Sequence, residues 1–477
     1  MNKANLAEHW RQQGATHLTH DSRCAAPGCV FVALGSDHDT VINHAKQAQK
    51  QGAIGMMYDA HLGDLAMPGL NCQAVTKLAA HWPTLVDAFY GSPSQQLTLI
   101  GVTGTNGKTS ICHFLAQALH HLGKNVGVLG TMGNGVWPGL CTSELTTLPL
   151  DHLQRHLAEF VATGVDTVVM EVSSHSVAQG RIAGLTFDIG VYSNLSQDHL
   201  DYHHTMAEYA ATKAQFFAMP SQCNVLNSDD DYVETMAAQS ASGTKVRYYG
   251  QSGEIVLTHV EPHPDHTHFT VDIAGHQTIL ATTLIGQFMV DNLLAVIGVL
   301  HHLKVPVSQI EQIIPRLTAP KGRLERIALP GKATVIIDFA HSPDAMDKVL
   351  ALLKPLYPGK LWVIFGCGGD RDRGKRPLMT ACAIQHADHV ILTEDNPRTE
   401  DPHRILHDML TDHEDNPKIQ VILSRTQAIQ TALSHATQQD WVVLLGKGHE
   451  TYQVIGHDKV AFDERAVVQQ WYEEHAS

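Results

Sequence analysis

Along the chain, short apolar runs alternate with longer segments whose apolar residues recur every three or four positions. The first pattern marks buried strands and the second amphipathic helices. In the first ninety residues, 30–34 reads as a strand, 44–51 as a helix, and 53–58, after Gly52, as a second strand. Gly91-Ser92-Pro93-Ser94 is a cluster of chain breakers and reads as a linker. From 97 onward the alternation is regular, with strands at 97–103, 125–131, 167–172 and 188–195 and helices at 109–122 and 150–162. Such alternation predicts a largely parallel sheet covered by helices. Between 245 and 284 the pattern is strand-rich and helix-free, which reads as an antiparallel extension of that sheet, and a helix follows at 287–303.

A second break, Thr318-Ala319-Pro320-Lys321-Gly322, precedes five more strands at 334–339, 361–366, 389–393, 419–423 and 441–445. Helical stretches separate them, so this part reads as Rossmann-like, yet no G-x-G-x-x-G spacing follows any of these strands. The expectation is three α/β domains, 1–92, 93–318 and 319–477. A length of 477 residues fits that number.

Composition narrows the class. With 43% hydrophobic and 17% charged residues, the chain can fill several cores and lacks the balance of a disordered protein. Its 33 basic and 48 acidic residues give a net charge of −15, which argues against a surface devoted to nucleic acid. A local basic pocket for an anionic ligand remains compatible with that charge. No apolar core of a signal peptide opens the chain, and no uncharged apolar run of about 18 residues exists to span a bilayer. The expected location is cytoplasmic, with no membrane partner. None of the eight cysteines forms a C-x-x-C pair, so they read as reduced thiols rather than zinc ligands. The 33 histidines make the charge sensitive to mild acidification.

Candidate chemistry begins where the strand at 97–103 runs into Gly104-Thr105-Asn106-Gly107-Lys108-Thr109 and a helix. Glycines in such a loop turn backbone N–H groups toward phosphate oxygens, and the helix N-terminus adds positive potential. Lys108 would reach the terminal phosphates of ATP and the Thr109 hydroxyl would bind Mg²⁺. Strict Walker spacing would place Gly where Val102 stands, so the loop is a variant.

Glu171-Val172-Ser173-Ser174-His175 follows the next strand; Glu171 reads either as a Mg²⁺ ligand or as a helix-capping acid. Asn194-Leu195-Ser196-Gln197-Asp198-His199 offers oxygen and imidazole groups, with His199 otherwise a surface residue. Lys213, four residues after Tyr209 on an apolar helix, reads from pattern alone as a snorkelling surface lysine. Near the C-terminus, Asp338-Phe339-Ala340-His341 and the Gly- and Arg-rich segment 366–376 suit a second anionic group or a mobile charged loop.

Taken in order, G-T-N-G-K-T, E-V-S-S-H, N-x-x-x-D-H-L-D, Y-x-x-x-K, Gly322-Arg323-Leu324-Glu325 and the acid–His turn at Asp338 resemble the Mur ligase family of peptidoglycan synthesis. Asp21-Ser22-Arg23, the segment 366–377, Asp395-Asn396-Pro397-Arg398 and Gly446-Lys447-Gly448-His449-Glu450 extend the resemblance over essentially the whole chain. It departs at Leu148-Pro149, Ser176, Met289 and Phe339, where the family commonly has Pro at once, Gly, Asn and Tyr.

The resemblance implies a three-domain ligase, with an N-terminal UDP-sugar-binding domain, a central P-loop ATPase-like domain and a C-terminal Rossmann-like domain. The implied activity is ATP-dependent addition of meso-diaminopimelate to the D-glutamate γ-carboxylate of UDP-N-acetylmuramoyl-L-alanyl-D-glutamate through an acyl phosphate. A lysine-adding or other amino-acid-adding member is the alternative. Implied ATP-site residues are Thr103 to Thr109, Asn292, Arg323 and Asp338. Mg²⁺ would be held by Thr109, Glu171, His199 and a carbamate on Lys213, with Lys108, Glu171, His199 and Lys213 catalytic. Ser22, Thr146, Thr147, Ser173, Gln179 and Arg181 map to the UDP-sugar-peptide, and Arg371, Asp395, Asn396, Pro397, Arg398, Gly446 and Glu450 to diaminopimelate. A monomer acting on these small molecules, with no nucleic-acid partner, is expected.

Overall fold

The computed structural model describes residues 3–475 except 36, 144 and 264. The chain divides into two compact units, one of residues 1–257, 272–276 and 292–310 and the other of 258–271, 277–291 and 311–477.

The first unit opens with a parallel four-stranded sheet in the order β1 (His17–Thr19), β2 (Cys29–Ala33), β3 (Gly55–Asp59), β4 (Asn71–Val75). The sequence pattern missed the two edge strands, which are short or half exposed and so carry no continuous apolar run. It also missed the helices Lys3–Gln12 and Leu78–Tyr90 that cover one face. Trp10 from the first of these lies flat on β3, and a Cβ at Gly55 would collide with its ring. The expected linker at 91–94 is a tight turn: Gly91 and Ser92 both adopt left-handed backbone before the 3₁₀ turn Pro93–Gln95.

The larger sheet uses β5 (Thr98–Thr103), β6 (Val126–Gly130), β7 (Gly133–Val136), β8 (Thr167–Glu171), β9 (Phe187–Tyr192), β10 (Pro220–Asn227) and β11 (Lys245–Gly250). Their order is β11-β10-β9-β5-β8-β6-β7, parallel except for the β6–β7 pair. Strands β5, β6 and β8 are almost wholly buried, as a parallel sheet packed on both faces requires. Close strand–helix packing demands glycine within it: a Cβ at Gly101 would meet the rings of Phe187 and Phe216. The expected antiparallel extension is corrected at its start, since β11 pairs with β10 in parallel. Strand β12 (Ile255–Pro262) also meets β11 in parallel at its first residues. Strands β13 (Thr267–Ile273) and β14 (His276–Thr282) follow as its neighbours in turn. Ala274 and Gly275 join these two with positive φ at both positions, as a two-residue hairpin turn needs.

The second unit carries a six-stranded sheet built from β15 (Glu325–Ile327), β16 (Thr334–Asp338), β17 (Leu361–Phe365), β18 (His389–Leu392), β19 (Ile419–Val421) and β20 (Trp441–Leu445). The order is β15-β16-β20-β17-β18-β19, parallel apart from β15. The five parallel strands are those expected from the pattern. A hairpin, β21 (Tyr452–Ile455) with β22 (Asp458–Ala461), completes the unit. No helix among the described residues is long and apolar enough to cross a membrane.

One buried ion pair ties this sheet together. Arg425 and Glu464 have fully buried side chains, with Nε donating to Oε1 at 2.7 Å. Arg425 also donates to the carbonyls of Leu445 at 2.8 Å and Glu394 at 3.2 Å, fixing the ends of β20 and β18. Burial pushes the Glu464 carboxyl above its ordinary range and Arg425 opposes that shift. Breaking such a pair from one side leaves a charge with no compensation. Arg425→Met should therefore cost about 3–5 kcal/mol, read as a lowered urea midpoint, and Arg425→Met with Glu464→Met should recover most of it. A single variant as stable as the parent would refute this role.

Candidate active site

In the first unit the phosphate loop leaves the C-terminal end of β5, with Thr103 fully buried beneath it. Gly104 and Gly107 have φ of 150° and 87°. A Cβ at Gly104 would collide with Ser193 Oγ and one at Gly107 with Asn292 Oδ1, so glycine is required at both and Asn292 is held against the loop. The loop docks on the segment after β9: Thr105 N donates to Asn194 O at 2.7 Å and Asn106 N to Asn194 Oδ1 at 3.0 Å. Lys108, first residue of the helix Lys108–His121, curls back to donate to the carbonyls of Gly104 (2.8 Å) and Thr105 (2.9 Å).

Glu171 sits at the end of β8, paired in register with Val102 of β5. It is 2% exposed, accepts from Thr109 Oγ1 (3.0 Å) and Thr131 Oγ1 (3.3 Å) on Oε2, and from Thr131 N (2.8 Å) on Oε1. The helix-capping alternative fails, because Ser173 caps the following turn by accepting from Ser176 N. A buried carboxylate beside two hydroxyls is an all-oxygen donor set, which fits a hard cation such as Mg²⁺.

Lys213 corrects the surface reading taken from its pattern. It is 1% exposed, its Nζ donates to Gly104 O at 2.8 Å, and it stands 4.8 Å over the Tyr209 ring. Its helix, Met206–Ala214, is N-capped by Thr205, which accepts from the backbone N–H of Glu208. Burial, followed by the charge of Lys108, holds the Lys213 ammonium well below its ordinary pKa.

His199 is exposed, at φ 53°, with Nε2 3.4 Å from Asp198 Oδ2. Its ring lies 4.9 Å from that of His175 and 6.3 Å from that of Tyr209. His203 is buried with Nε2 2.9 Å from Ser174 Oγ.

Five of the six residues expected at a sugar-peptide site form one hydrogen-bonded group. Thr147 Oγ1 donates to Glu171 O at 2.8 Å and lies 3.3 Å from Ser173 Oγ. Arg181 Nη1 donates to Thr147 O at 2.9 Å and Nη2 to Gln179 Oε1. Thr146 meets Thr131 at 3.3 Å. Ser22 is not among them: it donates to Gln47 at 2.8 Å. The nearby His20 pairs with buried Asp151, in the first turn of the helix that follows Thr146-Thr147.

The second unit holds the remaining candidates. Asp338, at the end of β16, is buried and accepts from Leu324 N and Ala340 N, both at 2.8 Å. Burial raises its pKa. Arg323 lies 5.0 Å over the Phe339 ring.

Asn396 is the hub of a second group. Its Nδ2 donates to Glu450 Oε2 at 2.9 Å, and its Oδ1 accepts from Lys447 Nζ at 3.1 Å and Val454 N at 2.9 Å. Lys447 is fully buried and also binds Glu450 (3.0 Å) and Asp395 (3.5 Å). Gly446 touches the same group, since a Cβ there would lie 2.8 Å from Asp395 Oδ2. Buried Pro397 leads into Arg398, which at φ 51° turns Nη1 onto Gly369 O at 2.9 Å. Arg371 is exposed, its stem near Gly368.

A family model for the Mur ligase middle domain matches residues 102–300, and one for the Mur ligase glutamate ligase domain matches 322–448. The UDP-N-acetylmuramoyl-L-alanyl-D-glutamate--2,6-diaminopimelate ligase of Pseudomonas putida is 40% identical over 459 residues, covering 94% of this chain and 92% of that protein. The chain belongs to the Mur ligase family. The ligase of the same name from Haemophilus influenzae is 38% identical, with 97% of each chain covered. A solved structure of a protein with this name matches at TM-score 0.73 and 32% identity over 97% of this chain and 96% of its own. The fold alone extends to the MurF ligase of Thermotoga maritima, solved in complex with ADP, at TM-score 0.60 and 16% identity over 96% of each chain.

In this Mur ligase, sequence reasoning singled out neither Lys447, His203 nor Thr131. Lys447 stands inside Gly446-Lys447-Gly448-His449-Glu450 and resembles any loop lysine until its burial is seen. His203 carried one faint signal, its i, i+4 spacing from His199. Removing the Lys108 charge should cost about 10²–10³ in turnover, since it would stabilise the transferring phosphoryl group. Lys108→Ala, assayed as phosphate release, should show that loss with an unchanged fold. Near-normal turnover would sink the assignment.

Proposed function

We propose that this Mur ligase joins meso-diaminopimelate to the D-glutamate γ-carboxylate of UDP-N-acetylmuramoyl-L-alanyl-D-glutamate, using ATP, in peptidoglycan precursor synthesis. The observation that carries it is identity of 40% to ligases of that name over 94% of the chain. The reading assigns 1–92 to the UDP-sugar, 93–318 to ATP and 319–477 to the incoming amino acid. The enzyme acts as a monomer in the cytoplasm.

The reaction starts with phosphoryl transfer from ATP to the γ-carboxylate, giving an acyl phosphate. The diaminopimelate amine then attacks the acyl carbon, and the tetrahedral intermediate expels phosphate. The reading assigns residues 103–109, Asn292, Arg323 and Asp338 to ATP. Thr109 and Glu171 would hold Mg²⁺, which supplies charge neutralisation between the phosphates and the approaching carboxylate. Ser22, Thr146, Thr147, Ser173, Gln179 and Arg181 bind the sugar-peptide and fix the carboxylate for attack.

The role assigned to Lys213 is the one the family resemblance implies, and its burial and lowered pKa support it. A neutral buried amine can add to the carbon of CO₂ and release a proton, leaving an anionic carbamate that with His199 would serve as a metal ligand. Because the shift is downward, the reactive neutral form persists to lower pH than for an ordinary lysine. Lys213→Ala should lose most ligase activity, and short carboxylic acids should restore part of it. A fully active Lys213→Ala enzyme would refute the carbamate role.

Selection of the amino acid rests on Arg398. Meso-diaminopimelate differs from lysine by a carboxylate beside the distal amine. Among the described residues only Nη1 of Arg398 finds hydrogen-bond acceptors, so the rest of its fork suits that carboxylate. Asn396 would add neutral hydrogen bonds, Arg371 a second cation, and Gly446 and Glu450 would complete the site, with Glu450 meeting the distal ammonium. Lysine would leave the half-buried Arg398 unmatched, so discrimination should reach about 10⁴-fold in kcat/KM. The decisive measurement is product formation with a panel of amino acids. Arg398→Ala should lose diaminopimelate use while keeping ATP binding. Equal use of lysine and diaminopimelate by the wild type would favour a different amino-acid-adding enzyme.

A further inference from the structure

The turn between β12 and β13 gathers three histidines outside every group described above. His263 N donates to His266 O at 2.8 Å, closing the turn so that these two residues face each other across the hairpin. His268 lies two positions beyond His266 and Glu261 two before His263, so period-two alternation puts all four side chains on one face. The burial of β13 alternates in the same sense, with Thr267 buried and His268 half-buried.

The rings are in mutual contact, with centroids 4.4 Å apart for His263–His266, 4.5 Å for His266–His268 and 5.4 Å for His263–His268. One ring nitrogen from each lies within 4.8 Å of the other two. Two carboxylates flank them: Asp265 Oδ1 is 2.6 Å from His266 Nδ1, and Glu261 Oε1 is 3.5 Å from His263 Nε2.

We propose that Glu261, His263, His266 and His268 form a binding site for a divalent transition-metal ion of borderline softness, with Zn²⁺ as the reference ion. Imidazole nitrogens select this class over Mg²⁺ or Ca²⁺. Three nitrogens around one ion at about 2.0–2.1 Å must lie a little closer together than they do here, a change that small side-chain rotations supply. Asp265 plays the orienting part: by accepting from Nδ1 of His266 it leaves Nε2 for the ion. Glu261 supplies an oxygen as fourth ligand. The ion would cross-link the two strands at the hairpin tip.

The test uses the full-length protein, stripped with a chelator and held in saturating Mg²⁺ so that oxygen-lined sites are occupied. Titration with Co²⁺ should give one saturable site with the visible absorption of tetrahedral coordination, displaced by stoichiometric Zn²⁺. His266→Ala and His268→Gln should each weaken Co²⁺ binding at least tenfold, and Asp265→Asn by about tenfold, with circular dichroism and ligase turnover unchanged. Among the described residues another candidate group is Asp347, Cys382 and His386. Loss of the Co²⁺ signal in His386→Ala but not in the hairpin variants would overturn the proposal. So would the absence of any saturable site at micromolar metal.

Discussion

Two lysine ammonium groups converge on one carbonyl oxygen, that of Gly104, each at 2.8 Å. At a separation of about 5 Å and an effective dielectric constant of about 20, two such charges repel by roughly 3 kcal/mol. Lys213 also has almost no contact with water. The arrangement therefore disfavours the charged form of one of the two. Burial designates Lys213, since Lys108 is only partly enclosed. The rest of the site follows from this constraint. Gly104 must adopt φ 150° to present its carbonyl, Ser193 must press against it, and a capped, rigid helix must carry Tyr209 and Lys213 underneath.

The second unit solves a related problem with opposite means. Lys447 is as buried as Lys213, yet three acceptors, on Asp395, Asn396 and Glu450, surround it and keep its charge matched. Among the described residues no carboxylate forms a salt bridge with Lys213, whereas Lys447 is held by close acids and serves as scaffold. Arg425 and Glu464 extend that scaffold beneath the strand ends from which Asp395 and Gly446 emerge. In each unit the chemistry-bearing residues stand at the C-terminal ends of parallel strands: Thr103 and Glu171 in one, Asp338 in the other. Strand ends of this kind expose loop backbone and helix N-termini while the sheet below stays rigid.

The sequence by itself determined the strands buried on both faces and the loop between β5 and its helix. Runs such as Val335–Ile337 or Val442–Leu445 favour a place inside a parallel sheet, and the glycines at 104 and 107 permit the positive-φ turn found there. Family motifs then carried the likeness across the chain. Strands β1, β4, β7, β15, β21 and β22 escaped notice because edges and short strands bury too little to leave a periodic signal, and β10 because Ser221, Gln222 and Asn224 interrupt its apolar run. The β11 pairing was misjudged because alternation along one strand says nothing about the direction of its neighbour. Only the tertiary structure decided which polar residues are buried and beside what. Lys213 reads as a surface group in the linear pattern, and neither the burial of Lys447 nor the meeting of the imidazoles at 263, 266 and 268 is visible there. Desolvation and charge proximity are properties of elements far apart in sequence, and they exist only once those elements have packed.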